Sequence, residues 1–138
     1  MLFRSEQDKY SLELKALKKT YFTTFEGAPD ELKSNKEFML KAVYIQYLTL
    51  KYASKELQDD KDVVLAAVKQ DGYALTFASE ELKGNREFVL KAVQQNGMAL
   101  QFASEELIED RDVVLAAVKH SGFALDHASE DQIGRAHV

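Results

Sequence analysis

The chain has 138 residues with no cysteine, no tryptophan and one proline, and 18 Lys and Arg against 23 Asp and Glu give a net charge of −5. The absence of cysteine excludes a disulfide scaffold, a thiolate zinc site and a cysteine nucleophile. At 46% hydrophobic residues the composition is that of a globular chain, no apolar run approaches the ~20 residues of a membrane-spanning helix, and the acidic balance argues against nucleic acid as the main partner.

The first five residues, MLFRS, and the last seven, QIGRAHV, are set apart from the rest. Back-translated, IGRAHV preceded by the end of a glutamine codon gives AGATCGGAAGAGCACACGTC, the start of a common short-read sequencing adapter. The reverse complement of that adapter translates as Val-Leu-Phe-Arg-Ser, and its GTG codon used as a start gives Met. Residues 1–5 and 132–138 are therefore expected to be adapter translation, in two orientations, around a biological segment of residues 6–131. The chain would then be a metagenomic-type fragment of a larger protein. Removing Arg4 and Arg135 takes the charge from −5 to −7.

Between those ends the sequence repeats itself every 25 residues. Residues 6–34 hold a divergent first copy, in which Phe25, Ala28 and Leu32 fall on columns that recur later. Four clear copies fill residues 35–131. They begin NKEFMLKAV at Asn35, DKDVVLAAV at Asp60, NREFVLKAV at Asn85 and DRDVVLAAV at Asp110. Ala42, Ala67, Ala92 and Ala117 share a column, as do Leu50, Leu75, Leu100 and Leu125, and Ser54, Ser79, Ser104 and Ser129. A second period of 50 is superposed on the first. Copies one and three share N-[KR]-E-F, and copies two and four share D-[KR]-D-V-V.

Each copy is expected to open with a long helix. Lys41 and Lys91 share the column of Ala66 and Ala116, which places that column in solvent, while residues two away, such as Val89 and Val93, are apolar. In a strand those would lie on the lysine's face; in a helix they lie about 200° round. Asn35, Asp60, Asn85 and Asp110 read as N-caps. Glu37, Asp62, Glu87 and Asp112 set negative charge in the first turn. Gly72, Gly97 and Gly122 read as left-handed C-caps, and Tyr47, standing where glycine is expected, predicts either a strained cap or a helix that ends differently. A shorter helix follows over Tyr73 to Ala78 and its equivalents. It is expected to end near the serine column, where Pro29 of the divergent copy restricts the residue before it. Ser79 then caps a single turn through Glu80, Glu81 and Leu82. One such unit buries too little to fold alone, so neighbours must stack. The expected fold is all-α, an α-solenoid of short helix pairs.

The strings DKDVVLAAVKQDGYALTFASEELKG and DRDVVLAAVKHSGFALDHASED closely resemble the repeats of the family "domain of unknown function 4116". The resemblance covers about Asn35 to Asp131 and weakens before Asp30 and over Tyr44 to Leu48. It implies a helical tandem-repeat protein, often a segment of a larger chain, and no catalytic residue or ligand.

The residues that carry chemistry elsewhere have simpler readings here. The acidic pairs Glu80/Glu81, Glu105/Glu106 and Glu130/Asp131 recur every 25 residues after a serine cap, as a capping feature does and a catalytic site does not. His120 and His127 are separated by Gly122, and His127 sits in the column of Tyr52, Phe77 and Phe102. Two nitrogen ligands make a poor metal site, and His137 lies in the adapter-like end. The aromatic column and Leu48, Tyr73, Met98 and Phe123, four residues earlier, are expected in the core. No phosphate loop, HExxH or GxSxG occurs. No catalytic residue, metal site or cofactor is nominated.

What remains is a set of polar columns that vary between copies: Lys69/Gln70, Gln94/Gln95 and Lys119/His120 at the end of the long helix, with Lys51, Thr76, Gln101 and Asp126 on the second. These are the candidate partner-binding surface. The expected role is a non-enzymatic scaffold or protein-protein interaction module with an unidentified protein partner, in a cytoplasmic compartment. The alternatives are a regulatory or substrate-recruiting segment of a larger enzyme and, less favoured, a nucleic-acid-binding repeat. Both array ends are expected to expose apolar columns, with fraying over residues 6–20 and after Ala128 or end-to-end self-association.

Overall fold

The computed structural model describes residues 27–120, and within them every regular element is helical. The expected terminal features, namely residues 1–5, 6–26 and 132–138, the cap at Gly122, Phe123, Asp126, His127 and the two frayed ends, lie outside the described residues. The elements run α1 (Asp30–Lys33), α2 (Lys36–Ile45), the 3₁₀ segment η1 (Tyr47–Tyr52), α3 (Lys55–Gln58), α4 (Lys61–Gln70), η2 (Gly72–Phe77), α5 (Glu80–Lys83), α6 (Arg86–Gln95), η3 (Gly97–Phe102), α7 (Glu105–Ile108) and α8 (Arg111–His120). Each repeat is thus a ten-residue α-helix, a six-residue 3₁₀ segment and a single α-turn.

The long helices form as the cap chemistry dictates. Asn35 and Asn85 accept the backbone N–H of Phe38 and Phe88 at 2.9 Å. Asp60 accepts from Asp62 and Val63, and Asp110 from Asp112 and Val113, which satisfies donors that have no partner inside the helix. Phe38, Met39, Ala42 and Val43 face inward on α2. Val63, Val64, Ala67 and Val68 do so on α4, and Phe88, Val89, Ala92 and Val93 on α6. That is one stripe of a 3.6-residue period, and Lys41 and Lys91 stand exposed off it.

Gly72 and Gly97 act otherwise than as left-handed C-caps. No residue among those described has positive φ, glycine included. The first three long helices end instead on an extended residue, Gln46 (φ −148°), Asp71 (φ −159°) or Asn96 (φ −154°). Asp71 and Asn96 then cap the next segment, accepting from Tyr73 N at 2.9 Å and Met98 N at 3.1 Å. Gly72 and Gly97 are the buried first residues of η2 and η3. Gly72 is required by crowding: a Cβ there would stand 2.7 Å from the backbone nitrogen of Ala99 and 3.0 Å from the carbonyl carbon of Met98. Tyr47 occupies the equivalent place after an extended Gln46, so its cap is unstrained.

The second helix is 3₁₀ in form, with i→i+3 bonds such as Ala74 N to Asp71 O (3.0 Å) and Ala78 N to Leu75 O (3.1 Å). It buries Leu50, Leu75 and Leu100. Ala53 and Ala78 are extended, and Ser54 and Ser79 cap the final turn through Leu57 N (3.3 Å) and Leu82 N (3.2 Å). Ser104 makes no such side-chain bond. The serine backbone does more. Ser54 N–H reaches Lys33 O (2.9 Å), Ser79 N–H reaches Gln58 O (2.9 Å) and Ser104 N–H reaches Lys83 O (3.0 Å). These bonds form a ladder that ties each repeat to the one before. Pro29, in the same column, has no N–H with which to extend it.

The stack is not uniform. Between repeats one and two, α2 packs closely on α4, and α4 leans on η1. Between repeats three and four, α6 packs closely on α8, and α8 leans on η3. Between repeats two and three the pattern inverts: α4 and α6 touch less, while η2 and η3 pack tightly over Gly72. The 50-residue period of the sequence is therefore a period of packing.

Candidate functional site

The close junctions carry an ion clamp on their outer edge. Lys36 Nζ lies 3.1 Å from Asp60 and 2.8 Å from Asp62. Arg86 Nε reaches Asp110 at 2.9 Å and its Nη2 reaches Asp112 at 2.6 Å. The two aspartates needed for each clamp are those of the D-x-D copies. The Lys36 ammonium holds Asp62 below the usual carboxylate range. The Arg86 guanidinium, aided by the backbone N–H groups of Val113 and Asp112, does the same for Asp110 against a partial burial that opposes it. Lys36 is raised in turn by Asp62 and Asp60, and Arg86 by Asp110. At the middle junction the equivalent residues are Lys61, Asn85 and Glu87, and no ion pair joins Lys61 to Glu87 among the described residues.

The candidate surface residues divide into two groups. Lys69, Gln70, Gln94, Gln95, Lys119 and His120 are all exposed at the ends of the long helices. Gln94, Lys119 and His120 come together with Leu90, Leu115, Ala116 and Asp112 around an open groove of about 490 Å³ between α6 and α8. The leucine column Leu40, Leu65, Leu90 and Leu115, half-buried throughout, is the part of this surface that pattern reading missed. Its signal was an apolar residue beside the lysine column, at the border of the buried stripe. His120 is partly committed, since its Nδ1 accepts the Gly97 N–H at 2.9 Å and so ties α8 to η3.

The 3₁₀ residues offer less. Lys51 is exposed, with its Nζ 5.6 Å above the ring of Tyr52. Gln101 is half-buried and donates to Met98 O at 3.2 Å. Thr76 is half-buried, with a buried hydroxyl that has no partner. Asp126 lies outside the described residues.

The aromatic columns are a rim rather than a core. Tyr52, Phe77 and Phe102 are half-buried against the core, whereas Tyr73 is 42% exposed. Tyr73 meets Phe77 (5.4 Å) and Phe102 (5.2 Å) in edge-to-face contacts. They lie on the outer side because Ala74, Leu75 and their equivalents take the inward positions of the 3₁₀ segment. Tyr47 is half-buried, and burial together with Asp71 of the next repeat raises its phenol above the ordinary value. Tyr44, in the column of Lys69, Gln94 and Lys119, is 72% exposed.

Glu80, Glu81, Glu105 and Glu106 are exposed in the first turns of α5 and α7, and Lys83 reaches Glu80 at 3.2 Å. Among the described residues no three His, Asp or Glu side chains cluster in a way that could hold a metal ion. No described helix is long and apolar enough to cross a membrane.

Residues 11–58, 45–83 and 85–132 each match the family described as "Domain of unknown function (DUF4116)". The first match begins in the divergent copy, and the third opens at the Asn85 cap and spans two consecutive repeats. No curated protein and no solved structure matches the chain.

Proposed function

The chain belongs to the DUF4116 family of tandem helical repeats, a domain of unknown function, and we propose that this array is a non-enzymatic scaffold that binds a protein partner along the ends of its long helices. The carrying observation is the division of labour between columns. The invariant apolar columns are consumed by stacking, while Tyr44, Lys69, Gln94 and Lys119 recur at one place on successive helices, offer three chemistries (phenol, ammonium and amide) and stand in solvent. A regular scaffold with one variable exposed side chain per unit suits recognition of an extended partner. The groove between α6 and α8, with an apolar floor and a polar rim, is where such a partner would seat a side chain.

The test is capture of interacting proteins by the chain and by a Lys69→Ala, Gln94→Ala, Lys119→Ala variant of equal thermal stability. Loss of the captured species in the variant supports the reading. Unchanged capture, or tight RNA binding with a steep salt slope, overturns it.

A further inference from the structure

We propose that the junction between the second and third repeats is a hinge on which the two 50-residue pairs open and close on their long-helix side, with the Gly72 contact as pivot. Three independent features converge there. The first is the missing clamp. Lys36 and Arg86 each bridge forward to two aspartates, whereas in the columns of those aspartates the helix after Lys61 carries the uncharged Asn85 and Glu87, and no ion pair joins Lys61 to Glu87 among the described residues.

The second is the looser approach of the long helices: α4 and α6 touch less than the long helices of either neighbouring junction. A crevice of about 140 Å³, smaller than the groove between α6 and α8, is lined there by Lys61, Asp62, Leu65, Glu87, Phe88 and Lys91. Phe88 belongs to a column in which copies two and four carry Val63 and Val113. The bulkier ring therefore stands on the side of α6 that meets α4, and the valines belong to the helices that enter the close junctions. The third feature is the opposite face. There η2 and η3 approach until a Cβ on Gly72 would strike the Ala99 and Met98 backbone, and the Ser104 N–H keeps its ladder bond to Lys83 O of the preceding repeat. Among the described residues, motion of the long helices about this side breaks no ion pair and parts helices that touch less than their neighbours do. Its cost is exposure of Phe88 and the 3.4 Å bond from Asn96 Nδ2 to Val68 O. The same motion at either neighbouring junction breaks a forked clamp and separates tightly packed helices.

Opening would widen the crevice and change the spacing between Lys69 and Gln94, adjacent members of the exposed column. The array's recognition surface would then be two fixed halves at adjustable separation. This consequence rests on the proposed function; the hinge itself does not.

Because the chain has no cysteine, pairs can be introduced cleanly. The experiment places cysteines at Lys41/Ala66, Ala66/Lys91 and Lys91/Ala116, equivalent positions across the three junctions. Each pair is treated with bis-maleimide reagents of graded length, and the fraction joined is read by mass spectrometry. The hinge predicts that Ala66/Lys91 is captured efficiently by short and long reagents alike, while the two flanking pairs accept a narrow range. A companion variant, Asn85→Asp with Glu87→Asp, rebuilds the two-aspartate clamp for Lys61 and is expected to narrow the Ala66/Lys91 range towards that of its neighbours. Equal ranges at all three junctions would overturn the hinge. An unchanged range in the rebuilt variant would overturn the clamp as its cause. Unchanged protein capture by the Lys69→Ala, Gln94→Ala, Lys119→Ala variant, with the hinge intact, would count against the proposed function alone.

Discussion

The junction between repeats three and four and the junction between repeats two and three are built from the same columns, yet their long helices pack differently. At the first, α6 and α8 close together, Arg86 forks onto two aspartates, and His120 reaches back to the η3 backbone. At the second, α4 and α6 stand apart over Phe88, and contact is transferred to the 3₁₀ segments across Gly72. A repeat is thus not a complete structural unit. Four columns alternate with a period of two, Asn/Asp, Glu/Asp, Phe/Val and Lys/Ala, and neighbouring interfaces differ in step with them.

The contrast can be broken most forcefully at Gly72. Gly72→Val drives a side chain into backbone that cannot yield locally and is expected to cost about 3 kcal/mol, at the upper end of overpacking effects. Gly84→Ala, where the nearest atom to the new Cβ is 3.5 Å away and φ is −100°, should be neutral or slightly stabilising. Urea denaturation of both variants checks the pair.

The next effect comes from exchanging the wedge. Phe88→Val should cost about 2 kcal/mol as a large-to-small core change, and Val113→Phe about 1–3 kcal/mol by overpacking the close junction. The combined variant should lose the alternation. Interhelix methyl and aromatic NOEs between α4 and α6, and between α6 and α8, report it.

Acid should act on the clamped junctions selectively. Asp62 and Asp110 have lowered folded-state values. Their contribution is therefore complete above the ordinary value of 3.8 and is lost as pH falls below it through the folded-state value. Asp110→Asn keeps a cap acceptor but removes the charge, so its stability should fall less steeply with acid than that of the parent chain. Circular dichroism melts across that pH range decide it.

The smallest effect contrasts two cations. Arg86→Ala should lower the melting temperature slightly at low salt and not at high salt, because the pair is exposed and screened. Lys61→Ala, at the unclamped junction, should leave it unchanged at both.

Much of this was legible before any coordinates. The N-caps, the solvent-facing lysine column and the buried Ala-Val columns are local chemistry, and local chemistry repeats four times in the text. Gly72 and Gly97 depart from the expected left-handed caps because a glycine after a helix serves equally as such a cap or, as at Gly72, as a place where two backbones meet, and only the neighbouring repeat distinguishes them. Asp71 and Asn96 were in plain view before those glycines, yet their capping role depends on a 3₁₀ segment that six residues cannot announce. The serine ladder uses backbone atoms and has no residue signature. The candidate surface was half legible. The exposed ends of the long helices were found, while in the 3₁₀ column the long Lys51 side chain stays exposed and the shorter Thr76 and the locally bonded Gln101 are half-buried.

The central claim, that the junctions alternate, is tested most directly by the spacing of the long helices in solution. Nitroxide pairs at the exposed positions Tyr44/Lys69, Lys69/Gln94 and Gln94/Lys119, read by dipolar broadening, give one separation per junction. Alternating packing predicts short, long, short. Three equal separations, or a middle one no longer than its neighbours, would contradict it.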